Sequence, residues 1–185
     1  MPAANGDRPE LKGARVRLRP LREADLPERL VMNNDPDVQI RTVGEKVGTS
    51  RLSDLQDWWR TLSADSHGQL WAVETRDGVY IGDLDLHSIG LQPPGAPRHA
   101  WINPFFGRKE YWIPELEKEA CSLLLDYARD VLHLQQVSME LLATEPLVPI
   151  LRSLGFVQTE CLTGGVGGID VLTLTLDLQT PAGRQ

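Results

Sequence analysis

The apolar positions of the chain recur with two different periods in separate blocks. Alternation of apolar and polar residues predicts seven strands, at 14–19, 69–75, 79–88, 98–106, 136–142, 156–162 and 169–178. Apolar residues at helical spacing predict four helices, at 23–33, 53–63, 114–132 and 145–154. In chain order, these elements predict a mixed α/β or α+β domain, in which the long helix 114–132 crosses between neighbouring strands.

Composition and charge narrow the class of protein. The 185 residues, 41% hydrophobic and 24% charged, predict one soluble domain over 9–179 with flexible ends at 1–8 and 180–185. A net charge of −7 argues against nucleic-acid binding, which needs a basic surface. Neither a membrane span nor a signal sequence is recognisable, so we expect a cytoplasmic location and no membrane partner. The two cysteines predict neither a disulfide nor a metal site.

The strand at 79–88 carries the most unusual side chains. Strict alternation places Ile81, Asp83, Asp85 and His87 on one face of this strand. If that face lines a pocket, its carboxylates would attract a cationic amine, and Asp85 or His87 would take the proton of that amine. The alternative is a partly solvated face that makes ordinary hydrogen bonds.

The next strand is predicted to contribute to the same pocket through His99 and Asn103. Asp85 and His87 are thus the candidate catalytic residues, and Asp83 and Asn103 are candidates for binding the amine. The glycine-rich run 163–168 lies between two late strands and predicts a flexible hairpin loop rather than a phosphate-binding loop.

Four groups of residues, in order and spacing, resemble the GNAT superfamily. They are RVRLRPL at 15–21, WAVE and YIGD at 71–74 and 80–83, GRKEYW with EA at 107–112 and 119–120, and LRSLGF at 151–156. The likeness covers 11–178 and is nearest to the ribosomal-protein N-terminal acetyltransferases. It implies a single-domain GNAT fold, with a mixed, mostly antiparallel sheet flanked by helices. It also implies transfer of an acetyl or other acyl group from acetyl-CoA or another acyl-CoA to an amine of a small molecule or protein.

The resemblance also locates the expected cofactor loop, where this chain departs from the family pattern [RQ]-x-x-G-x-[GA]. Alignment on Glu119 places Trp112 at the first position, and Glu115 and Glu117 at the small-residue positions. Glycine there lets backbone N–H groups approach a pyrophosphate at a helix N-terminus. Pro114 removes one such N–H, and the two glutamates place negative charge where a phosphate would bind.

Basic and aromatic residues around that loop are the expected cofactor contacts. They are Arg108, Lys109, Tyr111, Trp112, Ile113 and Lys118. Two other family positions also differ, since Thr144 replaces an asparagine and Leu151 replaces a tyrosine that protonates the departing thiolate. The usual general acid is therefore absent.

Three functions agree with these features. The first is an acyltransferase that uses an acyl-CoA. The second is a non-catalytic GNAT-like module that binds or regulates. The third is an acyltransferase whose donor is an acyl carrier protein, because a phosphopantetheine arm brings no adenosine pyrophosphate. The sequence leaves the oligomeric state open, and the resemblance adds an edge-strand homodimer as one alternative.

Overall fold

The computed structural model describes residues 8–179 and contains one eight-stranded sheet. The strands are β1 Leu11–Lys12, β2 Val16–Pro20, β3 Gln69–Thr75, β4 Tyr80–His87, β5 His99–Phe106, β6 Gln136–Leu142, β7 Val157–Val166 and β8 Ile169–Asp177. Their order in the sheet is β1-β2-β3-β4-β5-β6-β8-β7. Only the β5–β6 pair in this sheet is parallel, and the other neighbours are antiparallel. The predicted flexible ends lie outside the described residues, apart from Arg8, which is buried.

Helices cover both faces of the sheet. Those in the described chain are α1 Leu26–Asn33, α2 Pro36–Val43, α3 Leu52–Ala64, α4 Pro114–Asp130 and α5 Leu147–Ser153. Helices α4 and α5 pack against the larger apolar cluster on one face, whereas α1 and α3 pack against a smaller cluster on the other. None of the helices in residues 8–179 has the length and apolar character needed to cross a membrane. The mixed, mostly antiparallel sheet with flanking helices confirms the predicted fold class.

Helix α2 was not predicted from the sequence. The run Asn33-Asn34-Asp35-Pro36 was expected to end a helix, and α1 does end at Asn33. The same run also begins α2, because the Asp35 side chain accepts a hydrogen bond from the Asp37 N–H and Pro36 occupies the first helical turn. Asp-Pro was therefore a start signal as well as a stop signal.

A β-bulge in β4 changes which residues share a face. Tyr80 and Gly82 pair with consecutive residues of β3, so Ile81 is an extra residue. Ile81 packs in the same apolar cluster as Leu84, and the Tyr80 hydroxyl donates to Asp83 on the opposite face. The prediction that Ile81 lies beside the acidic residues was wrong, because strict alternation assumes that no residue is inserted.

A buried ion pair holds α1 against β4. Arg29 Nε lies 2.8 Å from Asp83 Oδ2, and the Tyr80 hydroxyl donates to the same oxygen at 2.6 Å. The guanidinium carbon lies 4.4 Å from the ring centroid of Trp58 and 4.3 Å from that of Phe105. Since Asp83 is only 2% exposed, its charge depends on this arginine rather than on water.

We expect Arg29→Met to lower the free energy of unfolding by about 3–5 kcal/mol, because Asp83 would remain buried without a countercharge. Urea titration followed by tryptophan fluorescence measures this loss. Adding Asp83→Asn to the same variant should recover much of it, because the buried charge is then gone.

The matched control is Arg60→Met, which breaks an ion pair with Asp57 whose side chains are 57% and 77% exposed. That substitution should change stability by less than about 1 kcal/mol. Equal losses from Arg29→Met and Arg60→Met would contradict the importance of the buried pair.

Candidate active site

Strands β5 and β6 separate after a short stretch of pairing. Their register runs only from His99 opposite Gln136 to Trp101 opposite Ser138. Beyond this point β5 continues against β4, and β6 continues against β8. A cavity of about 370 Å³ opens between the two strands. Each strand turns one edge towards this cavity, so its backbone groups can hydrogen-bond an extended ligand.

Several elements line this cleft between β5 and β6. Its lining includes Asn103, Pro104 and Phe106 of β5, residues 140–142 of β6, residues 41–43 of α2, and Glu145 and Leu147 at the start of α5. Helix α2 covers one side and ends at Gly44, which has a φ of 79°. A side chain at position 44 would press on Leu142 and Ile169. The close approach of α2 therefore depends on this glycine.

Asp85 lies next to Asn103, which lines the cleft. The Asn103 amide donates to both carboxylate oxygens of Asp85 at 3.3 Å. Asp85 is 8% exposed. Burial, with a smaller effect of the charge on Asp83, raises the pKa of Asp85 to about 7, against the opposing effects of Asn103 and Arg29. A carboxylate with such a pKa can act as a general base near neutral pH.

The two histidines of this face lie outside the cleft lining. His87 Nδ1 lies 3.1 Å from Ser88 Oγ, and His99 Nε2 lies 2.8 Å from Ser138 Oγ. Burial lowers the pKa of His87, and burial together with the neighbouring His87 lowers that of His99. Both rings therefore favour the neutral form, in which one ring nitrogen is a proton acceptor, more than an exposed histidine does.

Of the two residues predicted to bind the acceptor, only Asn103 lies at the cleft, and Asp83 does not. Asn103 lines the cleft, whereas both oxygens of Asp83 are hydrogen-bonded by Arg29 beneath α1. The structure therefore brings Asp85 and Asn103 together at the cleft and gives Asp83 a partner away from it.

A buried ion triad lies at the N-terminus of α4. Arg41 of α2 is 2.8 Å from Glu117 Oε1 and 2.6 Å from Glu145 Oε1. Its guanidinium carbon lies 4.6 Å from the ring centroid of Trp112. Burial raises the pKa of Glu117 and of Glu145 although Arg41 opposes this effect. Two carboxylates thus share one guanidinium where the resemblance places the cofactor loop.

Backbone N–H groups at this helix N-terminus make hydrogen bonds within the chain. Pro114 has no N–H to offer. The N–H groups of Leu116 and Glu117 both point to the carbonyl of Ile113, with N···O distances of 2.9 and 3.2 Å. A phosphate arriving here would compete with these internal hydrogen bonds.

The two predicted basic contacts upstream of α4 bind acidic side chains of the first helices. Arg108 pairs with Glu28. Lys109 Nζ lies 2.8 Å from Asp35 and 2.7 Å from Asp37. Hydrogen bonds to Asp35 and Asp37 raise the pKa of Lys109. These pairs hold α1 and α2 to the segment that precedes α4.

The other predicted cofactor contacts surround the same segment. Trp112 Nε1 donates to the Phe106 carbonyl at 2.7 Å, Tyr111 packs against the core, and Ile113 and Lys118 are exposed. None of the six predicted residues lines the cleft. Sequence reasoning missed Arg41, because the helix that carries it was not predicted; Asp35-Pro36 was the available signal.

A mixed, mostly antiparallel sheet flanked by helices is the architecture that the GNAT resemblance implied. The sequence matches the family model described as an acetyltransferase (GNAT) domain over residues 15–157. The chain therefore belongs to the GNAT acetyltransferase family, as predicted. No curated protein sequence matches it.

Solved structures of family members share the fold. A spermidine N-acetyltransferase from Vibrio cholerae, in complex with CoA and spermine, has a TM-score of 0.77 at 19% identity, covering 90% of this chain and 97% of that chain. Mycobacterium smegmatis RimJ, in complex with CoA-disulfide, has a TM-score of 0.74 at 18% identity, covering 91% and 84%. Such identities establish the fold alone, so the ribosomal-protein branch stays a prediction.

We expect Arg41→Met to lower stability by about 3–5 kcal/mol at pH 8 and by less at pH 5. Without Arg41, burial would raise the pKa of Glu117 and Glu145 further in the folded state. A folded-state pKa above the unfolded value means that folding takes up a proton, so stability falls as pH rises between the two values. Urea unfolding at both pH values measures this difference.

The control is Arg129→Met, which removes an exposed pair with Asp126 on the outer side of α4. Its small effect should be the same at pH 5 and pH 8. If the loss caused by Arg41→Met does not grow with pH, the triad is not what stabilises this helix end.

Proposed function

We propose that this chain transfers an acetyl or other acyl group from a CoA thioester to an amine that attacks directly in the cleft between β5 and β6. One observation carries the proposal. Asn103, which lines the cleft, donates a hydrogen bond to Asp85, a buried carboxylate whose pKa is raised to about 7. Membership of the acetyltransferase family supports the reaction class. The two similar structures described above were solved with CoA or CoA-disulfide, which supports the donor class.

The cleft suits the arm of a thioester donor. Amide groups along such an arm would hydrogen-bond the edges of β5 and β6, as an added strand does. Apolar side chains such as Phe106 and Leu142 line the cleft and would exclude water from the thioester. Bound CoA supplies the activated acyl group, and the protein supplies the orientation of thioester and amine.

Asp85 is the proposed general base. A protonated amine must lose a proton before its lone pair can attack, and an ionised Asp85 accepts that proton. Glu140, an exposed residue that lines the cleft, adds negative charge at the same place. Two carboxylates on a chain of net charge −7 favour a cationic acceptor. Leu151 occupies the position of the family tyrosine, and its buried hydrocarbon side chain has no proton to give to the departing thiolate.

A second candidate donor, an acyl carrier protein, is favoured by the triad of Arg41, Glu117 and Glu145. The pyrophosphate of CoA would meet two carboxylates and a helix N-terminus where Pro114 has no N–H and the N–H groups of Leu116 and Glu117 already donate to Ile113. A phosphopantetheine arm has no pyrophosphate to place there. Both candidates share the cleft and the base, and they differ in what binds next to the triad.

We expect Asp85→Asn to lower kcat with acetyl-CoA and a diamine by about 100-fold or more, because the amine loses its proton acceptor. Wild-type kcat/KM should rise with pH through about 7 as Asp85 ionises. The variant should lack this limb and keep only the ionisation of the amine. A thiol-reactive dye reports CoA release, and mass spectrometry identifies the acetylated product.

Stability supplies the control for Asp85→Asn. The raised pKa of Asp85 means that its ionised form disfavours folding above pH 7, so the neutral variant should be more stable at pH 8 by about 1–4 kcal/mol. A variant that is more stable yet less active cannot owe its loss to misfolding. Unchanged kcat and an unchanged pH profile would remove Asp85 from the mechanism. No turnover of any amine at about 1 mM acetyl-CoA would overturn the CoA donor.

Experiments with the double variant Glu117→Gln and Glu145→Gln distinguish the two candidate donors, CoA and an acyl carrier protein. Loss of both carboxylates leaves the Arg41 guanidinium available to a phosphate, so the Kd of CoA should fall by about tenfold or more. Calorimetry measures this change, and acetyl-pantetheine, which lacks pyrophosphate, should bind both proteins equally. Equal CoA affinity of wild type and variant would show that the triad does not restrict the donor. Turnover of an acyl carrier thioester but not of acetyl-CoA would establish the second candidate.

A further inference from the structure

A second and larger cavity, of about 790 Å³, lies at the other end of the sheet. Its walls come from residues 8–9, from residues 66–69 at the start of β3, from the loop 89–98 after β4, and from Tyr127 of α4 with the chain that follows this helix. No residue is shared between the described linings of this cavity and of the cleft between β5 and β6. The acyl-transfer site proposed above therefore does not account for it.

The charged residues that line this cavity are basic, although Asp65, whose carboxylate accepts the His67 N–H, lies beside it. Its lining includes Arg8, His67, Arg98 and His133, and no aspartate or glutamate is found among the lining residues within 8–179. The whole chain carries a net charge of −7, so a wall without carboxylates departs from the rest of the surface. Such a wall attracts a negatively charged group, and arginine is well suited to a carboxylate.

A buried polar atom adds a second requirement. Gln69 lines the cavity and is 3% exposed. Its Oε1 atom has no hydrogen-bond partner among residues 8–179. A buried acceptor left without a partner costs free energy, and a donor group on a bound molecule would remove that cost.

The loop that forms one wall is held in place before any ligand binds. Ile89 and His67 are joined by two hydrogen bonds, from the Ile89 N–H to the His67 carbonyl at 3.0 Å and between His67 Nδ1 and the Ile89 carbonyl at 2.9 Å. The Gln92 side chain accepts from the His99 N–H at 3.0 Å and donates to the Ser88 carbonyl at 3.4 Å. A wall that is already ordered loses little entropy on binding.

We propose that this cavity binds a small organic carboxylate that also has a hydrogen-bond donor and an apolar portion. The carboxylate contacts Arg98, and the donor contacts Gln69 Oε1. The apolar portion packs on Ile89, Val131 and Leu132, which line the same cavity. This site is separate from the acyl-transfer cleft and does not depend on the reaction proposed there.

The experiment uses two probes of the same shape, N-acetyl-L-leucine and N-acetyl-L-leucinamide, and the full-length chain. Both have an amide N–H and an apolar side chain, but only the first has a carboxylate. We expect N-acetyl-L-leucine to bind with a Kd below about 1 mM and the amide to bind about tenfold more weakly or not at all. Amide chemical shifts in NMR spectra should change around Gln69, residues 89–92 and residues 131–133.

Variants test the assigned contacts. Arg98→Gln should weaken binding of the carboxylate about fivefold or more, and Gln69→Leu should weaken binding of both probes. The control Arg60→Gln removes an exposed arginine of α3 that lies outside the cavity, and it should leave the Kd unchanged. Circular dichroism and unfolding curves show whether each variant is folded before binding is measured.

Three results would overturn the proposal. Equal affinity for the carboxylate and the amide would remove the role of charge. Shift changes confined to the cleft, at Asn103 and residues 140–142, would place the probe in the acyl-transfer site. No binding of either probe at about 10 mM would show that the cavity takes no ligand of this class.

Discussion

The short pairing of β5 with β6 is the constraint on which the rest of the structure depends. Parallel strands need a crossover connection, here α4, and their backbone groups are satisfied by one another only while the two strands run side by side. Once they separate, each strand relies on its other neighbour, β4 or β8, and a cleft remains between them. Helix α4 begins near one end of this cleft, and α2 covers one side.

Two acidic residues of one strand show how a partner decides the role of a carboxylate. Asp83 and Asp85 lie two positions apart on β4 and are both buried. Asp83 contacts the guanidinium of Arg29, which matches its charge, and it helps hold α1 to the sheet. Asp85 contacts a neutral amide of Asn103, so burial raises its pKa to about 7. A charged partner makes the first carboxylate structural, and a neutral partner leaves the second able to exchange a proton.

Two buried arginines, Arg29 beneath α1 and Arg41 beside the cleft, have different consequences. Arg29 has one carboxylate, so its pair is balanced. Arg41 has two, and burial raises the pKa of both Glu117 and Glu145. Because two carboxyl groups face one guanidinium, acidic groups are in excess on the side of the cleft near α4, although the fold places a helix N-terminus there, which ordinarily favours anions. The backbone and the side chains therefore have opposite charge preferences at this helix end.

Local pattern in the sequence was enough for most elements and for the fold class, because periodicity and turn residues report which face of each element is buried. The family followed from the resemblance of four groups of residues in order and spacing. It also singled out Asp85 and Asn103, since polar residues on central strands are rare. Only the tertiary structure could decide the remaining points. The bulge at Ile81, the pairing of Arg29 with Asp83 and the triad of Arg41 with Glu117 and Glu145 join residues that are inserted in a strand or distant in the chain. The pKa and the role of a carboxylate depend on its neighbours in space, and the linear sequence does not show which residues these are.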